Sequence, residues 1–529
     1  MRDPADLPPE LFTLILGHVL ADAGVKHACQ LSLLSHRWHQ CLLPLIYRKW
    51  VYDGVNHSFS SLWSFLLTVL RSQHIAGMVR SLVIGNWGFN PHTALNQEFT
   101  HTLHDSEYVR DAVRRAGISA LEEEIFASLS RGDRRPLMAL LLTCLPNITM
   151  IDAHVPQSDP ALGAVLRLAL ERQRNALEEG GDIESGTAPL AHLRSLGLWG
   201  EVRIETDPNL DDESGVSAPV YLYDIWPVVF FPALEILRIV EVDFMGAMEL
   251  LQVQGQEDKR CSNIRHLTLV QRLNRFRGWD AQETGEDFEA FMGVFSGLKS
   301  FAASVENPHW YGYVKTDPNL CIPNPVLWRI LKRHADSLES LDLYRKATGT
   351  LAEMGRLGPL TDFTRLRHLY FAPELFYGYR DSHDPTLSLK DVLPLSSSRT
   401  LESLSLYSTV DQLPQVLGLQ HGNIIDDQPQ HILLNKTFPA LKTFRVRQGI
   451  LFNFKINRVW EPFEAALRRS GVRVAVLGGQ CGLDCLVKGC GLPLGGTCPA
   501  FWEESYGLRE SGQLRWRTVD EQIDPWMEE

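Results

Sequence analysis

The chain has no apolar run approaching the roughly 18 residues that a membrane-spanning helix requires. Its first apolar stretch, beginning at Leu11, follows Asp3, Asp6 and Glu10 where an export signal would carry basic residues. Nothing in the sequence therefore directs it to a bilayer or out of the cell. Basic residues are also in deficit: 51 Lys and Arg against 64 Asp and Glu give a formal net charge of -13. That balance argues against general binding to nucleic acid or anionic lipid, both of which need a surplus of Lys and Arg. Cysteine is sparse, 9 in 529 residues, odd in number and mostly scattered. Such usage suits free thiols in a reducing compartment, cytoplasmic or nuclear, where the triplets at Asn56, Asn147 and Asn435 carry no glycan.

Catalytic signatures are missing as well. There is no Gly-x-Ser-x-Gly, no Gly-x-x-x-x-Gly-Lys-Ser/Thr, no His-Glu-x-x-His and no dinucleotide fingerprint. His101 and His104 lack a further placed ligand and read as surface histidines. Cys481, Cys485, Cys490 and Cys498 could satisfy tetrahedral zinc, but their spacing lacks the Cys-x-x-Cys knuckles of such sites, so free thiols in a glycine-rich loop are the expectation. No catalytic residue, cofactor or metal site is expected.

What the sequence does have is concentrated first at its start. Pro8 and Pro9 suit the first turn of a helix, where no internal N–H bond is lost, and Glu10 favours the positive end of the helix dipole. Leu11, Leu14, Ile15 and Val19 draw one apolar stripe, widened by Leu16 and Leu20. A second short helix fits Lys26 to Leu34, and Ser35 can cap a third running through Trp38 and Cys41. The stripe is wider than so small a core can cover, which leaves an apolar face for a partner or a following domain. A plain helical cap on a larger domain fits the same pattern.

The opening Leu7-Pro8-Pro9-Glu10-Leu11, the pair Ile15-Leu16 and the closing Leu31-Ser32-Leu33-Leu34-Ser35-His36-Arg37-Trp38 resemble an F-box, over about residues 6 to 50. One stretch departs from that family: Ala21 to His27 lacks its usual Leu-Asp-x-x-Asp/Glu-Leu wording. The resemblance implies docking on the Skp-type adaptor of a cullin-RING ubiquitin ligase through Leu7, Pro8, Glu10, Leu11, Ile15, Leu16, Leu33, Ser35 and Trp38.

Beyond residue 78 a hexad with apolar residues at its first, fourth and sixth positions recurs. Copies begin at Val79, Leu145, Leu193, Leu234, Ile264, Leu298, Leu338, Leu366, Leu401 and Leu441. Helical patterns precede several of them, for instance Phe288, Phe291, Met292 and Phe295 ahead of Leu298. Helix then strand, repeated, means parallel strands with helices packed outside, and the hexads resemble the strand portion of leucine-rich repeats. Starts lie from 28 residues (338 to 366) to 66 (79 to 145) apart, so an irregular solenoid is expected. The Asn or Cys that usually follows the hexad is absent, leaving in question the backbone ladder it would support. A parallel α/β sheet without curvature is the alternative.

The resulting division is an α/β chain: a three-helix F-box over 1–50, a helical linker over 51–77, a leucine-rich-repeat-like solenoid over 78–478 and a Cys/Gly-rich, acidic tail over 479–529. Acidic inserts near Glu178 to Thr187 and Glu205 to Ser217 read as surface loops. Alternation sends the third, fifth and seventh hexad positions to the concave face. Trp199, Tyr344, Tyr370, Tyr407 and Arg445 sit at such positions and are the types that anchor interfaces, so they are the candidate contacts to a recruited protein substrate; cross-strand packing is the competing role. The expected function is non-catalytic target recruitment to a ubiquitin ligase. The alternatives are a repeat scaffold with no ligase contact and, third, a zinc-dependent or other enzyme in the C-terminal region.

Overall fold

The structure is a computed structural model. It describes residues 8–52, 57–85, 87, 103–131, 133–156, 159–178, 188–200, 202–203, 216–217, 220–240, 242–244, 246–255, 262–272, 281–306, 322–345, 355–371, 375, 400–407, 438–447, 465 and 467–477. Two compact units divide the chain. The first is Met1–Glu205, Ser217–Asp243 and Arg260–Ile264; the second is Thr206–Val216, Phe244–Lys259 and Arg265–Glu529.

Unit 1 opens with helices α1 (Pro9–Ser32) and α2 (His36–Tyr47). Five parallel strands follow, hydrogen-bonded in chain order: β1 (Lys49–Tyr52), β2 (Ser81–Ile84), β3 (Met150–Val155), β4 (Ser195–Gly200) and β5 (Ile236–Val240). Unit 2 contains seven more parallel strands, again in chain order: β6 (His266–Arg272), β7 (Ser300–Glu306), β8 (Ser340–Arg345), β9 (His368–Phe371), β10 (Ser403–Tyr407), β11 (Thr443–Arg447) and β12 (Arg473–Leu477). The α/β class with parallel strands and intervening helices is as the hexads imply.

Within each unit the strands are in one register. Residues at the third hexad position pair across each step, as in Ser300 with Ser340, Ser340 with His368 and Ser403 with Thr443. The carbonyl at the second position accepts two successive N–H groups from the next strand start: Arg80 O from Thr149 and Met150, Arg194 O from Glu235 and Ile236, Glu339 O from Arg367 and His368. These bonds join neighbouring repeats just before the strand, on the other side of it from the Asn or Cys position. Ser337 Oγ donates to Leu298 O at 2.8 Å and Thr400 Oγ1 to Leu366 O at 2.8 Å, while Asn147 and Asn263 reach Gly77 O and Pro232 O. A side chain one residue ahead of the hexad thus ties these four repeats to their predecessors.

Three expectations need correction. The hexad read from Leu145 lies three residues too early: Met150 pairs with Ser81, so the copy in register begins at Ile148, which is buried along with Ile151 and Ala153. The segment 51–77 is not a linker. It ends β1 and continues into helix α3 (Phe59–Arg71), whose Leu62, Trp63, Phe65 and Leu66 are core residues, with Phe65 stacked on Trp50 at 4.3 Å. Finally, the N-terminal module holds two helices where three were expected, because α1 runs unbroken through Ala21 to His27. That stretch contains no proline, and the single Gly24 costs a helix only about 1 kcal/mol.

Candidate docking surface and the sheet interior

Ser35 stands in extended geometry between α1 and α2, and its hydroxyl accepts the Trp38 N–H at 3.3 Å, capping α2. Trp38 meets Phe12 edge-on with ring centroids 4.8 Å apart. Phe12, Leu16, Ala28 and Leu42 form a small core, with Leu31, Trp38, Cys41, Leu45 and Ile46 packed against it. Only one side of the apolar stripe is consumed. Leu11, Leu14 and Ile15 are 52%, 61% and 46% exposed, and at the turn between the helices Leu33 and Leu34 are 84% and 64% exposed.

Among the adaptor-side candidates, Pro8, Glu10, Leu11, Ile15, Leu33 and Ser35 are exposed. Leu16 is a core residue and Trp38 packs on the core, so these two hold the hairpin together; Leu7 lies outside the described residues. Leu14 and Leu34 join the exposed apolar set although the family motif did not single them out. The three- and four-residue spacing that groups Leu11, Leu14 and Ile15 was the available signal for the first.

The substrate-side candidates meet a different environment. Trp199, Tyr370 and Arg445 occupy the strand face opposite the leucines, as alternation requires, but that face is buried: they are 2%, 0% and 6% exposed. The expected exposure is therefore corrected at these three positions. Alternation fixes which face a residue occupies and leaves open whether that face meets water. The side chains of Tyr344 and Tyr407 lie outside the described residues.

In unit 1 this buried face holds a charged cluster. Asp152, Gly197 and Arg238 are register neighbours on β3, β4 and β5. Arg238 Nη2 donates to Asp152 Oδ1 at 2.6 Å across the glycine, where a β-carbon would collide with that carboxylate and come within 2.7 Å of the Trp199 ring. Trp199 in turn stacks on His154 with centroids 5.5 Å apart and carries the Arg238 guanidinium over its face at 5.5 Å. Burial pushes the Asp152 carboxyl above its ordinary range against the opposing pull of Arg238 and Lys49. Asp159, which caps the helix Pro160–Glu178 through the Ala161 and Leu162 N–H groups and accepts from Trp87 Nε1 at 2.7 Å, is raised for the same reason. Both carboxylates have packing roles.

Among the described residues no group of three or more His, Cys, Asp or Glu could hold a metal ion, and no helix is long and apolar enough to cross a membrane. Cys481, Cys485, Cys490 and Cys498 lie outside the described residues. No protein-family model matches the chain, and no curated protein matches it.

Proposed function

We propose that the protein is a non-catalytic substrate receptor of an SCF-type ubiquitin ligase, its α1–α2 hairpin docking on a Skp-type adaptor and its repeat units holding a target protein. The observation that carries this reading is the apolar edge of Leu11, Leu14, Ile15, Leu33 and Leu34, left outside the hairpin's own core. Completing the burial of five half-exposed aliphatic side chains is worth roughly 1 kcal/mol each, about 5 kcal/mol in all, a useful share of a specific interface. The ligase would act by proximity, with effective concentration of the held target promoting transfer. Such a receptor works in the cytoplasm or nucleus.

A repeat scaffold without ligase contact is the second reading, favoured by the unbroken α1, which gives the module two helices instead of three. Co-purification of the full-length protein with a Skp-type adaptor separates them, beside a variant carrying Leu11→Asp, Ile15→Asp and Leu33→Asp at exposed positions. Capture by the intact chain and loss in the folded variant supports the receptor; absence of capture by the intact chain leaves the scaffold.

A further inference from the structure

The sheet of unit 1 ends at β1, and the far side of that strand is open. Among the described residues β1 pairs with β2 alone, in parallel, from Lys49 with Ser81 to Tyr52 with Ile84. Arg48 O accepts the Arg80 and Ser81 N–H groups, and Tyr52 O accepts the Gly85 N–H at 2.7 Å. Residues of that parity, with Trp50 between them, therefore turn their amides towards β2. Lys49 and Val51 turn theirs outward, where their N–H and C=O groups meet no partner among the described residues.

The side chains beside this edge leave room for another strand. At the fifth hexad position exposure rises from buried Arg238 and Gly197, through half-buried Asp152 and Val83, to 43% at Val51. On the other face Trp50 is half-buried and stacked on Phe65. Cations mark the start of the strand: Arg48 and Lys49 are exposed, and neither forms an ion pair among the described residues. Arg80, next to Arg48, donates to the Gly77 and Asn147 carbonyls at 2.6 and 3.3 Å and meets no carboxylate there. Asp152, the acid on the same strand face, is already bonded to Arg238.

We infer that the open edge of β1 takes up an extended segment of a partner protein as a further strand, with a carboxylate opposite Lys49 and apolar residues opposite Trp50 and Val51. In strand addition the main-chain bonds supply affinity and the alternating side chains supply selection, and opposite charges facing each other across two strands stabilise the pair. Lysine on an edge strand also discourages pairing with a like edge. A second copy would bring its own Arg48 and Lys49 against these, so charge favours an acidic partner over self-association. The site shares no residue with the apolar edge of the hairpin, and it stands or falls independently of the ligase reading.

The test uses full-length protein and the fluorescein-labelled peptide Glu-Glu-Ile-Val-Ile-Glu-Glu, with binding read by anisotropy. Its palindromic order presents Glu, Ile and Val to Lys49, Trp50 and Val51 in either strand direction. The expected result is saturable binding that weakens at least tenfold in Val51→Pro, which deletes one outward N–H and keeps the bonds to β2, and at least tenfold in Arg48→Glu with Lys49→Glu. Reversal of two exposed arginines elsewhere, Arg114→Glu and Arg115→Glu, should leave affinity within twofold. Two methylated peptides keep the test independent of any effect of the substitutions on folding, one N-methylated at Val and one at both Ile. Successive amides of a paired strand point alternately towards and away from their neighbour, so one of these peptides should bind at least tenfold more weakly than the other. Equal affinity for the two, no loss in Val51→Pro, equal losses in the arginine control, or no binding by the parent protein overturns the site. A dimer that Val51→Pro dissociates, seen by sedimentation, overturns the partner in favour of a second copy. Peptide binding that appears only after deletion of 519–529, with its five acidic residues, overturns it in favour of the chain's own end.

Discussion

Replacing Gly197 by alanine tests the packing of unit 1 at its tightest point. The added methyl group cannot coexist with Asp152 Oδ1 where it now lies, and it comes within 2.7 Å of the buried Trp199 ring. The carboxylate must move, which lengthens its 2.6 Å bond to an Arg238 side chain that is only 3% exposed. Partial loss of a buried ion pair, added to overpacking of 1–3 kcal/mol, gives a cost of about 2–4 kcal/mol. For a unit of this size that corresponds to a fall of roughly 4–16 °C in the transition that reports it, read by tryptophan fluorescence with Trp199 as a local probe. Removing the carboxylate should relieve part of the clash. In an Asp152→Ala background the same Gly197→Ala change should cost at least about 1 kcal/mol less, a coupling measurable in a double-mutant cycle. A Gly197→Ala protein melting within 1 °C of the parent, or costs that simply add, would refute the reasoning.

Other consequences are separable. His334 is buried, and desolvation, followed by the neighbouring Arg333 cation, lowers its pKa below the ordinary 6.5; the unfolded chain therefore takes up the proton first, so this residue's contribution to stability should fall as pH drops below about 6.5. Denaturation midpoints at pH 7.5 and 5.0 should differ less in His334→Phe than in the parent, and an equal or larger difference in the variant would contradict the assignment. Ser35→Ala removes the α2 cap and should destabilise the hairpin by about 1 kcal/mol, seen as faster amide exchange in His36 to His39, with Ser35→Asp restoring protection. Ser337→Ala deletes the hydroxyl bond to Leu298 O and should lower unit-2 stability by about 0.5–1.5 kcal/mol in a urea titration.

The repeating hexad made the strand order readable because its first, fourth and sixth residues meet a helix-covered core in nearly every copy. It misled at Leu145, where Leu-Pro-Asn-Ile-Thr-Met and Ile-Thr-Met-Ile-Asp-Ala both carry the apolar spacing and pairing with Ser81 decides between them. β1 escaped notice because Tyr47, Trp50 and Tyr52 fill the hexad positions with aromatics directly after a helix. Tyrosine, tryptophan and arginine on the second strand face resembled interface anchors, yet Trp199, Tyr370 and Arg445 are buried, a property set by what covers the sheet and absent from the alternation of the strand itself. The charged cluster of Asp152, Gly197 and Arg238 was not legible, since its members are 86 residues apart at the extremes and meet only through register. The apolar excess of α1 was legible: a stripe too wide for its core leaves Leu11, Leu14 and Ile15 outside.

Amide hydrogen exchange of the full-length protein with and without a Skp-type adaptor tests the docking account most directly. The account predicts slowed exchange in α1 around Leu11 to Ile15 and at the Leu33 to Ser35 turn, with the strands of both units unchanged. Unaltered exchange throughout the hairpin at saturating adaptor, or protection confined to the strands, would contradict it.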